Sequence, residues 1–286
     1  MEEHRIGIPG TLLGSEKGLR LPIGHIADGL IVLEKPLGIG SRPDPWYPET
    51  PDLERCINIQ AEQGKPELIH HRISSLNALC PVEPEVSGLV LCITDRDTGI
   101  QWKNFWGSLF FSSHHLIICE PDPSFEPRKC ELPIARHFNL RKMVVSHTTG
   151  KKTQTCFTPL IQSSKAGIWL ASTCYSRLHQ VRIHAMESGL RLFGDPIYSP
   201  EPPPEPAFTR TGKTSKTAHT EEPLPPALKW QHLYAYTAEP STGLDLSPFR
   251  APLSRALSRM IRNRLDIDPE ALITSAEQAI QQPPTS

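Results

Sequence analysis

The densest run of chemically capable side chains is Tyr175-Ser176-Arg177-Leu178-His179-Gln180-Val181-Arg182-Ile183-His184. Arg177 and Arg182 stand five residues apart, and so do His179 and His184. Zinc would ask for imidazoles at i, i+4 on one helix face, so a metal site is not expected. Arginines at the start of a helix suit a different task, holding an anion or orienting a carboxylate. An acid that could meet them is Glu83, in Pro81-Val82-Glu83-Pro84-Glu85-Val86-Ser87-Gly88, although a solvated loop acid is the plain alternative. Asp95 and Asp97 follow an apolar run and read as turn or capping residues, and Asp195 as a turn residue that binds local amides. His70-His71-Arg72 could touch phosphate or simply line a polar loop.

Charge is unevenly spread. From Leu132 to Met186 there is no Asp or Glu, while Arg136, Arg141, Lys142, Lys151, Lys152, Lys165, Arg177 and Arg182 all fall there. A one-signed stretch of this kind reads as a phosphate-binding face or as solvated strand edges. The whole chain of 286 residues carries 30 Lys+Arg against 31 Asp+Glu, so a polycationic binder is excluded. No apolar run nears the roughly 20 residues that a membrane span needs. Met1 to Leu13 does not read as a signal peptide. Seven cysteines without a CxxC pair argue against a disulfide framework and make a reducing cytoplasm the expected compartment.

The elements that must position these residues are short. Apolar strands are expected at Gly29–Pro36, Ser87–Ile93 and Leu116–Cys119, with further strands at Lys142–His147, Thr153–Ile161 and Gly167–Tyr175. Helices are expected over Leu53–Gln63, capped by Asp52, over Gly99–Ser108, with Trp102 and Trp106 as its core stripe, and over Leu178–Ser188. The last should turn Val181, Ala185 and Met186 to one side and stop at Gly189. The mixture lacks a strict βαβ repeat, so the fold class is α+β, a mixed and mainly antiparallel central sheet with flanking helices. Residues 1–27 read as an irregular lead-in or edge hairpin, 28–255 as the main domain and 256–286 as a helical tail. Within the domain, 200–226 holds eight prolines and almost no large apolar residues, and is expected to be a disordered insertion or a polyproline II ligand. After Pro252, Leu253, Leu257, Met260, Ile261 and Leu265 keep helical spacing with Arg255, Arg259, Arg262 and Arg264 between them. Those arginines are either solvated or in contact with RNA.

Ser176 to His184 resembles the Gly-Arg-Thr-His-Gln-Ile-Arg-x-His hallmark of the RsuA/RluA-type RNA pseudouridine synthases, the RluA branch in particular. Ser176 replaces the family's Gly and Leu178 its Thr. Collinear segments extend the resemblance over roughly 28–255: Leu30 to Gly38, Gly150 to Thr158, Ser188 to Tyr198, and Gln231 to Tyr236 with Phe249-Arg250-Ala251-Pro252. The nucleophile motif departs from the family. Glu83 stands where the family has its aspartate, Pro81 replaces an arginine and Val86 a threonine, and His115 takes the place of the active-site tyrosine.

The resemblance implies isomerisation of uridine: the N-glycosidic bond breaks, the base rotates, and it rejoins through carbon. Carried over residue by residue, Glu83 would be the carboxylate and His115 would stack on the base. Arg182 would pair with Glu83 and lower its pKa. Arg177, His179, Gln180, Arg141, Lys142, Lys151 and Lys152 would contact RNA. No cofactor or metal is implied. The partner would be structured RNA, rRNA or tRNA, with no DNA, no membrane and a monomeric protein. A catalytically silent relative that keeps RNA binding as an assembly factor is the competing reading.

Overall fold

The sheet is built outward from two apolar runs. Leu30–Lys35 (β3) and Val86–Ile93 (β5) are nearly continuous in Leu, Val and Ile, the pattern of strands covered on both faces. They pair antiparallel from Leu30↔Ile93 to Lys35↔Gly88. The computed structural model describes residues 5–27, 29–95, 97, 99–100, 111–199, 230–236 and 251–281. Among these, further strands are Arg5–Ile8 (β1), Leu19–Ala27 (β2), Asn77–Ala78 (β4), Phe111–Cys119 (β6) and Arg128–Cys130 (β7). Ile134–Arg136 (β8), Met143–Val145 (β9), Thr155–Gln162 (β10), Gly167–Thr173 (β11) and Trp230–Tyr236 (β12) complete the set.

The large sheet runs β1-β2-β3-β5-β12-β6-β11-β10-β7, with β4 pairing β5, and β8 and β9 form a separate two-stranded sheet. The pairing of β12 with β5 is parallel, and the other described pairings are antiparallel. A mixed, mainly antiparallel α+β architecture is therefore what the chain adopts. Residues 5–27 belong to the same sheet as an edge hairpin.

Helices are Gly10–Leu13 (α1), Leu53–Glu62 (α2), Pro66–His70 (α3), Gln180–Glu187 (α4), Arg255–Leu265 (α5) and Pro269–Gln281 (α6). Asp52 caps α2 by accepting the Arg55 N–H at 2.8 Å. α4 ends as expected, at Gly189 with φ of 77°. Its burial differs from the expected amphipathic pattern: Met186 is exposed, while Gln180 to Ala185, polar side chains included, are all buried. The reason is that α4 packs against both β9 and β10 and finds polar partners at the start of β10, in Gln154 and Thr155. On α5, Leu257, Met260, Ile261 and Leu265 enter the main core, and Arg255, Arg259 and Arg262 stay in solvent. The expected helix over Gly99–Ser108 with Trp102 and Trp106, the Pro-rich 200–226 and Phe249-Arg250 lie wholly or largely outside the described residues.

One buried lysine ties the end of β3 to the chain entering β5. Lys35 Nζ donates to the carbonyls of Ile39 at 2.6 Å, of Pro36 and Glu83 at 3.1 Å each, and of Val86. Burial pushes its pKa down to about 7, against the pull of Glu83 and Glu85. Ser41 adds to the same seam. Its N–H donates to Val82 O at 2.9 Å, and its hydroxyl bridges Cys80 O and Val82 N. Replacing Lys35 by Met would leave several inward-facing carbonyls without a donor, each costing roughly 1–3 kcal/mol. Lys35→Met is therefore expected to lose about 3 kcal/mol in urea unfolding, while Lys165→Met, at an exposed position of the 163–166 turn, loses under about 0.5 kcal/mol.

Candidate functional site

Chain folding brings Glu83, His179 and Arg182 together. Glu83 sits on the seam just described, and its Oε1 accepts the backbone N–H of His179 at 2.7 Å. His179 stands at the N-cap of α4 with φ of 57°, a left-handed conformation that costs a non-glycine residue on the order of 1–2 kcal/mol. Three contacts hold it there: the Glu83 bond, a 2.9 Å hydrogen bond between its Nδ1 and the Tyr198 hydroxyl, and the Trp46 ring with centroids 5.3 Å apart. Strain of this kind, fixed by its surroundings, is a mark of functional sites.

The expected direct pairing of Arg182 with Glu83 is not what forms. Arg182 makes a two-pronged ion pair with Asp195, Nε to Oδ2 and Nη2 to Oδ1, both at 2.7 Å, and both side chains are buried. Asp195 also accepts the N–H groups of Ile197 and Tyr198, as its reading as a turn residue anticipated. Arg182 Nη1 is buried and has no hydrogen-bond partner among the described residues. The Tyr198 ring lies under the guanidinium at 5.3 Å.

These placements reverse the expected electrostatics of Glu83. Burial raises its pKa above the ordinary value by more than the Arg182 charge and the His179 amide lower it, and Glu85 adds to the rise. Desolvation wins because Arg182 spends its two best donors on Asp195. For Asp195 the balance is the opposite: burial raises its pKa, but the Arg182 bonds and charge bring it below the ordinary value. Glu83 is thereby the more basic of the two carboxylates beside Arg182.

His115 lies on β6, in register with Ala171 on β11 and His232 on β12, which is itself opposite Gly88 of β5. Ala171 is also opposite Phe157, two residues after Thr155, whose side chain bonds Gln180 and His184 of α4. Strand alternation therefore places His115 on the sheet face that α4 covers. Its imidazole is buried, and burial with His114 beside it lowers the pKa to about 3, so it is neutral in ordinary buffers.

Two expected RNA contacts are corrected. His179 and Gln180 are 4% and 1% exposed, so neither offers a side chain to a ligand at the surface. Gln180 is structural: its Nε2 donates to Gln154 O at 2.9 Å and its Oε1 accepts the Arg177 N–H. Burial lowers the His179 pKa to about 3, with Arg182 adding to the effect. His184 is likewise internal. Its Nε2 faces Leu132 O, an acceptor, so that nitrogen carries the hydrogen, and Nδ1 receives the Thr155 hydroxyl. Arg141, Lys151 and Lys152 are exposed, and Lys142 and Arg177 partly so.

Three contributors escaped the sequence reading: Trp46, Tyr198 as a hydrogen-bonding ring, and Lys35. Tyr198 lay in a segment singled out for its resemblance, and so did Lys35, a charge at the end of an apolar strand. Trp46 carried none. Among the described residues, no group of three His, Cys, Asp or Glu is gathered as a metal site.

No protein-family model and no curated protein matches the sequence. Solved structures do. The structure titled "Human RNA Pseudouridylate Synthase Domain Containing 4" superposes with a TM-score of 0.57 at 16% identity, covering 86% of this chain and 94% of that one. "Human RNA Pseudouridylate Synthase Domain Containing 1" gives a TM-score of 0.47 at 14% identity, covering 87% and 97%. The first of these shows that the chain has the fold of an RNA pseudouridylate synthase domain.

Two stability outcomes follow from the ion network. Asp195→Asn leaves the buried Arg182 charge uncompensated and is expected to cost about 3 kcal/mol in denaturant unfolding. Glu83 has a folded-state pKa above its unfolded value, so the native state binds the extra proton between the two. Its effect on stability is accordingly a loss as pH rises through that window and a constant penalty above it. Glu83→Gln keeps an acceptor for His179 and removes the charge. The variant should be more stable than wild type at neutral pH, with the difference vanishing below the ordinary carboxylate range. An equal difference at both pH values would contradict the desolvated carboxylate.

Proposed function

We propose that this chain is an RNA pseudouridine synthase of the RluA type that isomerises uridine in structured RNA, with Glu83 as the reacting carboxylate. One observation carries the proposal: a half-buried carboxylate of raised pKa is held by the His179 N–H, within the field of Arg182, in a chain with this fold. A carboxylate with a raised pKa is, once ionised, a stronger base and nucleophile than an ordinary one, which is what attack at a ribose carbon or proton removal asks for. No atom is gained or lost: the bond from uracil N1 to the ribose breaks, C5 takes its place, and the C5 proton leaves as N1 gains one. Arg182 would stabilise the negative charge near Glu83 through its field, and Asp195 would hold Arg182 in position. His115, neutral and on the face covered by α4, is the proposed ring against the base. Arg141, Lys142, Lys151, Lys152 and Arg177 are the proposed phosphate contacts, and rRNA or tRNA in a cytoplasmic setting is the proposed substrate.

A second reading is an RNA-binding relative without isomerase activity. The commitment of Arg182 to Asp195 rather than to Glu83 favours it.

Incubation with total rRNA and tRNA, followed by mapping of pseudouridine, separates the two. The isomerase reading expects one or a few modified positions with wild type and a loss of at least about 10²-fold in rate with Glu83→Ala. Modification unchanged in Glu83→Ala removes Glu83 from the chemistry. Salt-sensitive RNA binding with no product in any RNA class selects the second reading.

A further inference from the structure

Two exposed tyrosines near the site each carry an arginine stacked on one face. The Arg141 guanidinium lies over the Tyr47 ring at 4.9 Å, and that of Arg177 over the Tyr175 ring at 4.6 Å. Tyr47 is 46% exposed and Tyr175 is 42% exposed, so the stacks are not core packing. Neither arginine has an ion pair among the described residues, and Arg177 Nε is buried there without a hydrogen-bond partner.

Both pairs are connected to His179, whose N–H holds Glu83. Tyr47 follows Trp46, the ring packed against His179, and Asp44 Oδ1 fixes this turn by accepting the N–H groups of Trp46 at 2.7 Å and Tyr47 at 3.0 Å. Arg177 lies two residues before His179 and is anchored by the bond from its N–H to Gln180. Tyr47 is thus one residue from a ring packed on His179, and Arg177 is two residues from His179 itself.

A pure phosphate clamp needs mobile cations and no rings. An arginine held over a phenol ring instead offers a charged π surface, the partner of a base with its face free. Bases inside a duplex have both faces covered by their neighbours, and unpaired bases do not. We infer that Tyr47 with Arg141 and Tyr175 with Arg177 are two base-stacking platforms that take unpaired nucleotides beside the target uridine, so that the substrate is a single-stranded loop rather than a continuous helix. This rests on the proposed RNA-directed function and narrows its substrate class.

The test uses the full chain and a hairpin RNA whose unpaired loop holds one uridine, with 2-aminopurine placed on its 5′ or its 3′ side. Stacking on a ring quenches 2-aminopurine. Wild type is expected to quench both positions, Tyr47→Ala to restore fluorescence at one and Tyr175→Ala at the other. Each variant should lose roughly tenfold in affinity, and Tyr47→Phe and Tyr175→Phe should keep the quench. The same sequence closed into a full duplex should bind more weakly, with an affinity that neither Ala variant changes.

Quenching that survives both Ala substitutions, or equal affinity for loop and duplex, overturns the inference. Position-specific quenching without any pseudouridine supports it while rejecting the isomerase. A wild type that binds neither RNA rejects both.

Discussion

The buried ion pair between Arg182 and Asp195 is the constraint to which the rest of the site answers. Two charges taken out of water cost several kcal/mol each, and the cost is offset only when geometry and further hydrogen bonds are good. Both conditions hold: two bonds of 2.7 Å join the pair, and Asp195 accepts two more from the amides of Ile197 and Tyr198. Tyr198, positioned by that turn, supports the guanidinium from below and holds the His179 imidazole from the side. His179 in its strained conformation then aims its N–H at Glu83. A single ion pair thus sets the orientation of the helix start, the ring beneath it and the acid opposite.

Glu83 experiences this network without belonging to it. Because Arg182 is saturated on two of its nitrogens by Asp195, the carboxylate of Glu83 receives the field of the cation and only one hydrogen bond from α4. It is therefore half-buried and more basic than an ordinary glutamate. The Lys35 and Ser41 seam makes this tenable, since it fixes the backbone on which Glu83 rides from the opposite side. Loop and helix reach the carboxylate from separate parts of the sheet, and neither could hold it alone.

The small β8–β9 sheet is linked to the same centre. Ile134, Met143, Ile183 and Tyr198 form a second, minor core beside the main one, with Trp46 packed against it. The Met143 N–H donates to the Tyr198 hydroxyl at 2.8 Å. The loop of this hairpin carries Arg141, Lys142 and Phe138, the last 96% exposed. Cationic and aromatic surface is in this way attached to the buried polar network through the β8–β9 hairpin.

Most of the architecture was legible in the amino-acid order. The strands at Leu30–Lys35, Val86–Ile93 and Gly167–Thr173, the Asp52 cap and the Gly189 stop all follow from local rules of apolar run, capping and left-handed glycine. So did the closeness of Glu83 to the helix of Arg182, through collinear motifs. The site's chemistry was less legible. Arg182 had two acids in reach, Glu83 and Asp195, and residue types cannot say which will win a bidentate pair. Burial of His179 and Gln180 was equally hidden, because a polar helix face looks solvent-directed until a second sheet is folded against it. Local order determined which segments are strands and helices and which side chains are available. Tertiary packing alone decided which charges pair and which group is left dehydrated, because desolvation and hydrogen-bond geometry depend on neighbours distant in the chain.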